Sequence, residues 1–253
     1  MLALPLYKKR ALYVSSMKAI VIADLHIGIE YEFSIRGANI PSQTEVLLKR
    51  CEEICKEKSA EKLIILGDVK HMIVQVKNTR EYEIAIKKEK KEVKFFLDKL
   101  KEVIELLLIR GNHDGGLNPH KNLKVYGSRG LLLDEIGFVH GHAWPSKEVM
   151  KGRLLVMGHV HPVVRLRDKL GYSISKSCWI RASLKKDVFL ERYRDANAGM
   201  EVIIMPAFNP LCGGMAVNTE GIMGPMKKLI DLENANAYLL DGTNLGKISY
   251  LQF

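Results

Sequence analysis

The chain has no CxxC pair. Its four cysteines stand at 51, 55, 178 and 212, and their spacing matches no zinc-binding pattern. Cys51 and Cys55 fall four apart within an expected helix, so the thiols read as small buried hydrophobes in a reducing compartment. Long apolar runs are missing too. Ala19 to Ala23 is too short for a signal-peptide core or a membrane span, which makes a cytoplasmic protein without membrane attachment the expectation. No linker, internal repeat or low-complexity segment divides the 253 residues, enough for one sizeable α/β domain. What is present is a globular composition, 47% hydrophobic and 27% charged. The net charge of +10 favours phosphate-bearing partners, nucleic acid among them, although a lysine- and glutamate-rich solvated surface gives the same sum.

Apolar runs ending in polar side chains organise the chain. The clearest is Leu106 to Asp114: four apolar residues, then Arg-Gly-Asn-His-Asp. Such a run suits a buried strand, and in open α/β sheets ligands bind at the carboxyl ends of strands. Four stretches repeat the pattern. Lys18 to Ala23 ends in Asp24-Leu25-His26, Leu63 to Leu66 in Gly67-Asp68, Phe138-Val139 in His140-Gly141-His142, and Leu154 to Met157 in Gly158-His159-Val160-His161. Helical stripes separate them: Val46, Leu47, Cys51, Ile54 and Cys55 after Pro41-Ser42, then Val93, Phe96, Leu97, Leu100 and Val103. Alternating strands and helices favour a sheet with helical crossovers. From Val163 onward the chain reads as β-rich, with strands at Cys178–Ile180 and Val202–Met205 and a hairpin between Tyr238–Leu240 and Ile248–Leu251.

Taken together, Asp24, His26, Asp68, Asn112, His140, His159 and His161 offer two carboxylates, four imidazoles and an amide oxygen. That exceeds the needs of one tetrahedral ion and suits two, roughly 3.5–4 Å apart, with a carboxylate bridging them. Mixed imidazole and carboxylate donors favour manganese, iron, nickel or zinc over calcium.

Asp-x-His, Gly-Asp, Gly-Asn-His-Asp, His-Gly-His and Gly-His-x-His, in this order over roughly residues 18–162, resemble the calcineurin-like metallophosphoesterase family. Within it, the chain is most similar to small archaeal and bacterial phosphoesterases related to the SbcD/Mre11 nucleases. The resemblance implies two facing mixed β-sheets flanked by helices, in a single domain over 1–253 whose β-rich part is 163–253. It also implies two divalent ions per chain, manganese foremost. Asp24, His26 and His161 would hold the first and Asn112, His140 and His159 the second, with Asp68 bridging. His113 would protonate or polarise the leaving oxygen, oriented by Asp114. A water activated by the two cations would attack the phosphate ester, with Asn112 also facing substrate. His71 would contact substrate or make a structural hydrogen bond; His142 would face substrate or cap a loop.

The implied reaction is phosphodiester hydrolysis, in nucleic acid or nucleotides. A small-molecule phosphomonoesterase and an inactive scaffold of the same fold are the alternatives, and the oligomeric state stays open. His120 reads as a surface loop residue, and Trp144 and Trp179 as packing residues. The basic residues of 77–91 form either a solvated helix face or a nucleic-acid clamp. Arg165, Arg167, Lys169, Arg181, Lys185 and Lys186 form either a phosphate track or ordinary exposed strand positions.

Overall fold

The computed structural model describes residues 2–73, 79–117, 123–194 and 196–252. His120 and the first two residues of the basic 77–91 stretch lie outside them. The first sheet contains β1 (Leu4–Leu6), β2 (Ala11–Val14), β3 (Ala19–Ile22), β4 (Lys62–Leu66), β5 (Glu105–Ile109) and β6 (Lys124–Tyr126), side by side in that order. The first three strands are mutually antiparallel and the last four parallel. Parallel neighbours need crossovers. These are α1 (Ile29–Ile35) with α2 (Thr44–Glu57) between β3 and β4, and α3 (Arg80–Val103) between β4 and β5. The Thr79 side chain caps α3 by accepting from the Tyr82 N–H. Ala19–Ile22, Leu63–Leu66 and Leu106–Ile109 are buried throughout, as strands covered on both faces must be.

The second sheet gathers β7 (Leu131–Leu133), β8 (Ile136–Val139), β9 (Leu154–Met157), β10 (Pro162–Arg167), β11 (Ser173–Leu184), β12 (Glu201–Ile204), β13 (Met215–Ala216), β14 (Ile230–Leu239) and β15 (Asn244–Lys247). Its centre is a parallel trio, β8, β9 and β12. The long β11 pairs antiparallel with β10, β12 and β14. Two short helices, α4 (Lys186–Arg192) and α5 (Met226–Leu229), complete this half.

The two sheets face each other across one apolar layer. Val21, Ile64 and Leu107 of the first sheet meet Phe138, Val156, Trp179 and Ile203 of the second. Leu47, Cys51, Ile54, Phe96, Leu97 and Leu100 of α2 and α3 cover the outer face of the first sheet, against Ile20, Ile65 and Leu108. Met226 and Leu229 of α5 pack on the outer face of the second. Each fully buried Leu or Phe contributes roughly 1.5–3 kcal/mol. The architecture is the expected α/β arrangement of two mixed sheets flanked by helices.

Several expectations need correction. The terminal hairpin pairs β14 with β15, and Ile248–Leu251 is a 3-10 helix rather than a strand. Pairing stops there because Ile248 turns inward and is buried. Val46 and Val103 are 51% and 67% exposed, so the buried stripes of α2 and α3 are narrower than their apolar patterns. Arg80, Lys87, Lys88, Lys90 and Lys91 all lie exposed on α3. Among the described residues no helix is long and apolar enough to cross a membrane.

Candidate metal centre

All five motifs leave the carboxyl ends of central strands. Asp24 and His26 follow β3, Asp68 follows β4, Asn112 and His113 follow β5, His140 follows β8, and His159 and His161 follow β9. Five of these residues take left-handed backbone: Asp24 (φ 58°), His26 (42°), Asp68 (49°), His159 (70°) and His161 (45°). Such conformations cost side-chain-bearing residues energy and persist where surrounding structure enforces them. Here neighbouring loops do so. His26 N–H donates to the Asp68 carbonyl (2.8 Å), Ile27 N–H to that of Val69 (2.9 Å), and Gly158 N–H to that of His140 (3.1 Å). Glycine is required where these loops touch: a Cβ on Gly111 would stand 2.1 Å from Asp68 Oδ1.

Two donor groups result, and Asp68 is common to both. Its Oδ2 lies 3.5 Å from His26 Nε2 and 3.3 Å from His140 Nε2. On one side, His161 Nε2 is 3.3 Å from both Asp24 Oδ1 and His26 Nε2. On the other, His140 Nε2 is 3.0 Å from Asn112 Oδ1 and 3.2 Å from His159 Nδ1. Ligand atoms of Asp24, His26 and Asp68 lie within 4.8 Å of one another, as do those of Asp68, His140 and His159. The tautomers suit metal binding. His140 Nδ1 faces the Leu66 carbonyl at 2.7 Å and His161 Nδ1 the Gly213 carbonyl at 3.0 Å. When those nitrogens carry the proton, each Nε2 presents a lone pair inward, the usual anchoring of a metal-ligating imidazole.

The electrostatics divide the rings. Burial lowers His26 to about 3, and burial with the nearby His140 lowers His159 to about 4, so both rings are neutral donors. Against a burial that pulls it down, His140 is pushed up to about 9 by Asp68 and Asp24. Burial likewise opposes ionisation of the carboxylates, yet His161 and His140 hold Asp24 low, and His140, His26 and His113 hold Asp68 low. Two buried carboxylates ringed by inward-facing imidazoles form a field that divalent cations would answer, and the residues present fit a pair of them.

Asp114 departs from its expected task. It is buried, its Oδ2 accepts from Asp68 N–H (2.9 Å) and Gly111 N–H (2.8 Å), and its Oδ1 accepts from Val69 N–H (2.9 Å). The carboxylate therefore ties two site loops together and does not orient His113. The His113 ring is fixed instead by Nδ1 against the His71 carbonyl, with Nε2 4.0 Å from Asp68 Oδ2. His71 belongs to the cluster. Its Nδ1 lies 3.1 Å from His26 Nδ1, its Nε2 pairs with Glu32, and its ring stacks on His113. His142 sits with its ring centroid 5.1 Å from that of His140, and among the described residues its buried Nδ1 has no hydrogen-bond partner. Of the expected phosphate track, Arg165 and Arg181 are engaged by Glu220 and Glu201.

Two neighbours escaped sequence reasoning. Glu32 reaches His71 from α1. Cys212 brings its sulfur within 4.8 Å of ligand atoms on His26 and His161. The run through Ile204 ending in Pro-Ala-Phe-Asn-Pro-Leu-Cys-Gly-Gly repeats the strand-end pattern and was the available signal for Cys212.

Facing sheets with imidazoles and carboxylates gathered at their strand ends form an architecture able to hold metal ions. The chain belongs to the calcineurin-like phosphoesterase family, whose model matches residues 17–196. That family is metal-dependent and hydrolyses phosphoester bonds. Among solved structures, the Pseudomonas putida nuclease MPE aligns with a TM-score of 0.55 at 22% identity, over 96% of this chain and 94% of that one. What this likeness establishes is a common fold. The E. coli phosphoesterase Yfce aligns at 0.40 and 16% identity, over 90% of this chain and 97% of that one. A comparison with curated proteins finds no match.

Proposed function

We propose that the chain is a cytoplasmic phosphodiesterase acting on nucleic acid or nucleotides with two divalent cations, manganese foremost. The observation that carries this reading is the position of Asp68, whose carboxylate lies between the His26 and His140 donor groups. Asp24, His26 and His161 would hold one cation, Asn112, His140 and His159 the other, and Asp68 both. When bound, such a pair lowers the pKa of water toward neutrality and offsets charge developing on phosphoryl oxygens.

The rest is the work of side chains. His113, anchored through Nδ1, would present Nε2 to the leaving oxygen and deliver a proton there. Its stacking on His71, which Glu32 holds, fixes the ring plane. Asn112 would orient a phosphoryl oxygen beside His140. Asp114 keeps the Asp68 and Gly111 loops in register. The net charge of +10 and the resemblance to SbcD/Mre11-related enzymes favour a polyanionic diester.

A manganese-supplemented assay comparing bis-p-nitrophenyl phosphate with p-nitrophenyl phosphate, then single- and double-stranded DNA and RNA, tests the reading. Faster turnover of the diester is expected. Preference for the monoester would replace it with a phosphomonoesterase, and no turnover with sub-stoichiometric metal would identify a scaffold.

A further inference from the structure

Cys212 stands apart from the other cysteines. Cys51, Cys55 and Cys178 are sunk in apolar clusters, whereas Cys212 is part-exposed at the edge of the metal centre. Its sulfur and ring nitrogens of His26 and His161 lie within 4.8 Å of one another, a three-donor group of nitrogen and sulfur. Besides those rings, the sulfur meets the Asp24 carbonyl at 3.9 Å.

The segment carrying Cys212 is bound to both loops that supply the first ion's donors. Phe208 N–H donates to the Ala23 carbonyl (2.8 Å) and Asn209 Nδ2 to the Leu25 carbonyl (2.9 Å), on either side of Asp24. Asn209 also takes the Leu211 N–H on its side-chain oxygen (3.0 Å) and the Cys212 N–H on its carbonyl (3.2 Å), which fixes the turn. The next residue, Gly213, meets His161 Nδ1 through its carbonyl. Gly214 then passes so close that a Cβ there would stand 2.4 Å from the His161 carbonyl oxygen. The sulfur is thereby held beside the two imidazoles by backbone contacts to the residues flanking them.

We infer that Cys212 supplies a thiolate to the ion position formed by Asp24, His26 and His161, making that position selective for a thiophilic divalent ion such as zinc or ferrous iron. This rests on the two-cation reading above, leaves manganese foremost only at the second position, and adds a ligand from outside the five motifs. Coordination replaces the S–H bond with a sulfur–metal bond, and the proton passes to solvent. Thiolate is a soft donor, favouring zinc and iron, whereas manganese prefers carboxylate, carbonyl and water oxygens. Each position otherwise has two oxygen and two imidazole donors, Asp24 with Asp68 at the first and Asn112 with Asp68 at the second, so the sulfur alone makes the two differ in kind.

Cobalt(II) titration of the full chain, followed by absorption spectroscopy, is the test. The expected result is two cobalt ions per chain and a thiolate-to-cobalt charge-transfer band in the near ultraviolet. Cys212→Ser should lose that band, keep the visible cobalt bands, and show a zinc-over-manganese preference reduced by at least about tenfold. Two cobalt ions without the band in the native chain, or a band surviving in Cys212→Ser, would overturn the thiolate and leave the two-cation reading intact. Failure to bind cobalt at all would overturn both. Should Cys212→Ser not fold, zinc-edge X-ray absorption on the native chain decides: a sulfur shell at about 2.3 Å supports the ligand, and nitrogen and oxygen shells alone reject it.

Discussion

Replacing Asp114 with alanine separates two roles for a residue the motif places beside His113. Its carboxylate accepts from three buried backbone N–H groups, of Asp68, Val69 and Gly111, at 2.8–2.9 Å. Removing the acceptor strands all three, at about 1–3 kcal/mol each. Part is recovered, since burial raises the pKa of Asp114 and the fold no longer holds a desolvated acid. Water entering the vacated space recovers more. A net loss of roughly 3–5 kcal/mol is therefore expected, a large share of a typical domain's stability. Urea unfolding followed by fluorescence of the buried Trp179 measures it, as a lower midpoint at unchanged slope. Asp114→Asn should fall between, because one amide oxygen still accepts while the amide nitrogen confronts a donor. Should Asp114→Ala unfold within about 1 kcal/mol of the parent yet lose activity, the loop-tying role is wrong and Asp114 acts on His113 after all.

Three further outcomes are expected. Asp68→Asn should abolish metal binding and turnover together, measured by elemental analysis and diester hydrolysis on one preparation. His113→Ala should lower turnover by about 10²–10⁴-fold at unchanged metal content, and loss of metal would make His113 a ligand. Burial raises Glu89 from 4.5 to about 7, while the His71 and Met72 N–H groups donate to its carboxylate. A raised carboxyl pKa stabilises the fold fully below the unfolded value, and that contribution is lost as pH rises through the folded one. Relative to Glu89→Gln, which keeps an acceptor but cannot ionise, the native chain should lose roughly 3 kcal/mol between pH 4.5 and pH 7 in urea titrations. A constant difference across that window would contradict the buried, protonatable state.

Much of the site was legible because its chemistry is local. Each donor motif directly follows an apolar run that had to be a buried strand, and strand ends converge by construction in stacked α/β sheets. Which sheet a run joins was not legible, because burial on both faces leaves the same pattern in β4 as in β9. The task of Asp114 was hidden too, since its partners are backbone amides that carry no sequence mark. Cys212 contacts Asp24 from 188 residues away, and its one local mark is that it follows an apolar strand run at a longer distance than the other donors do. Ile248–Leu251 resembled a strand because its apolar residues satisfy a strand pattern as well as a single turn packed on a core.

The convergence of two donor groups on Asp68 is most directly tested by anomalous diffraction from crystals soaked in manganese and, separately, in zinc. Two peaks roughly 3.5–4 Å apart are expected, one among Asp24, His26 and His161, the other among Asn112, His140 and His159, with Asp68 between them. A single peak at saturating metal, or ions bound away from Asp68, would contradict it.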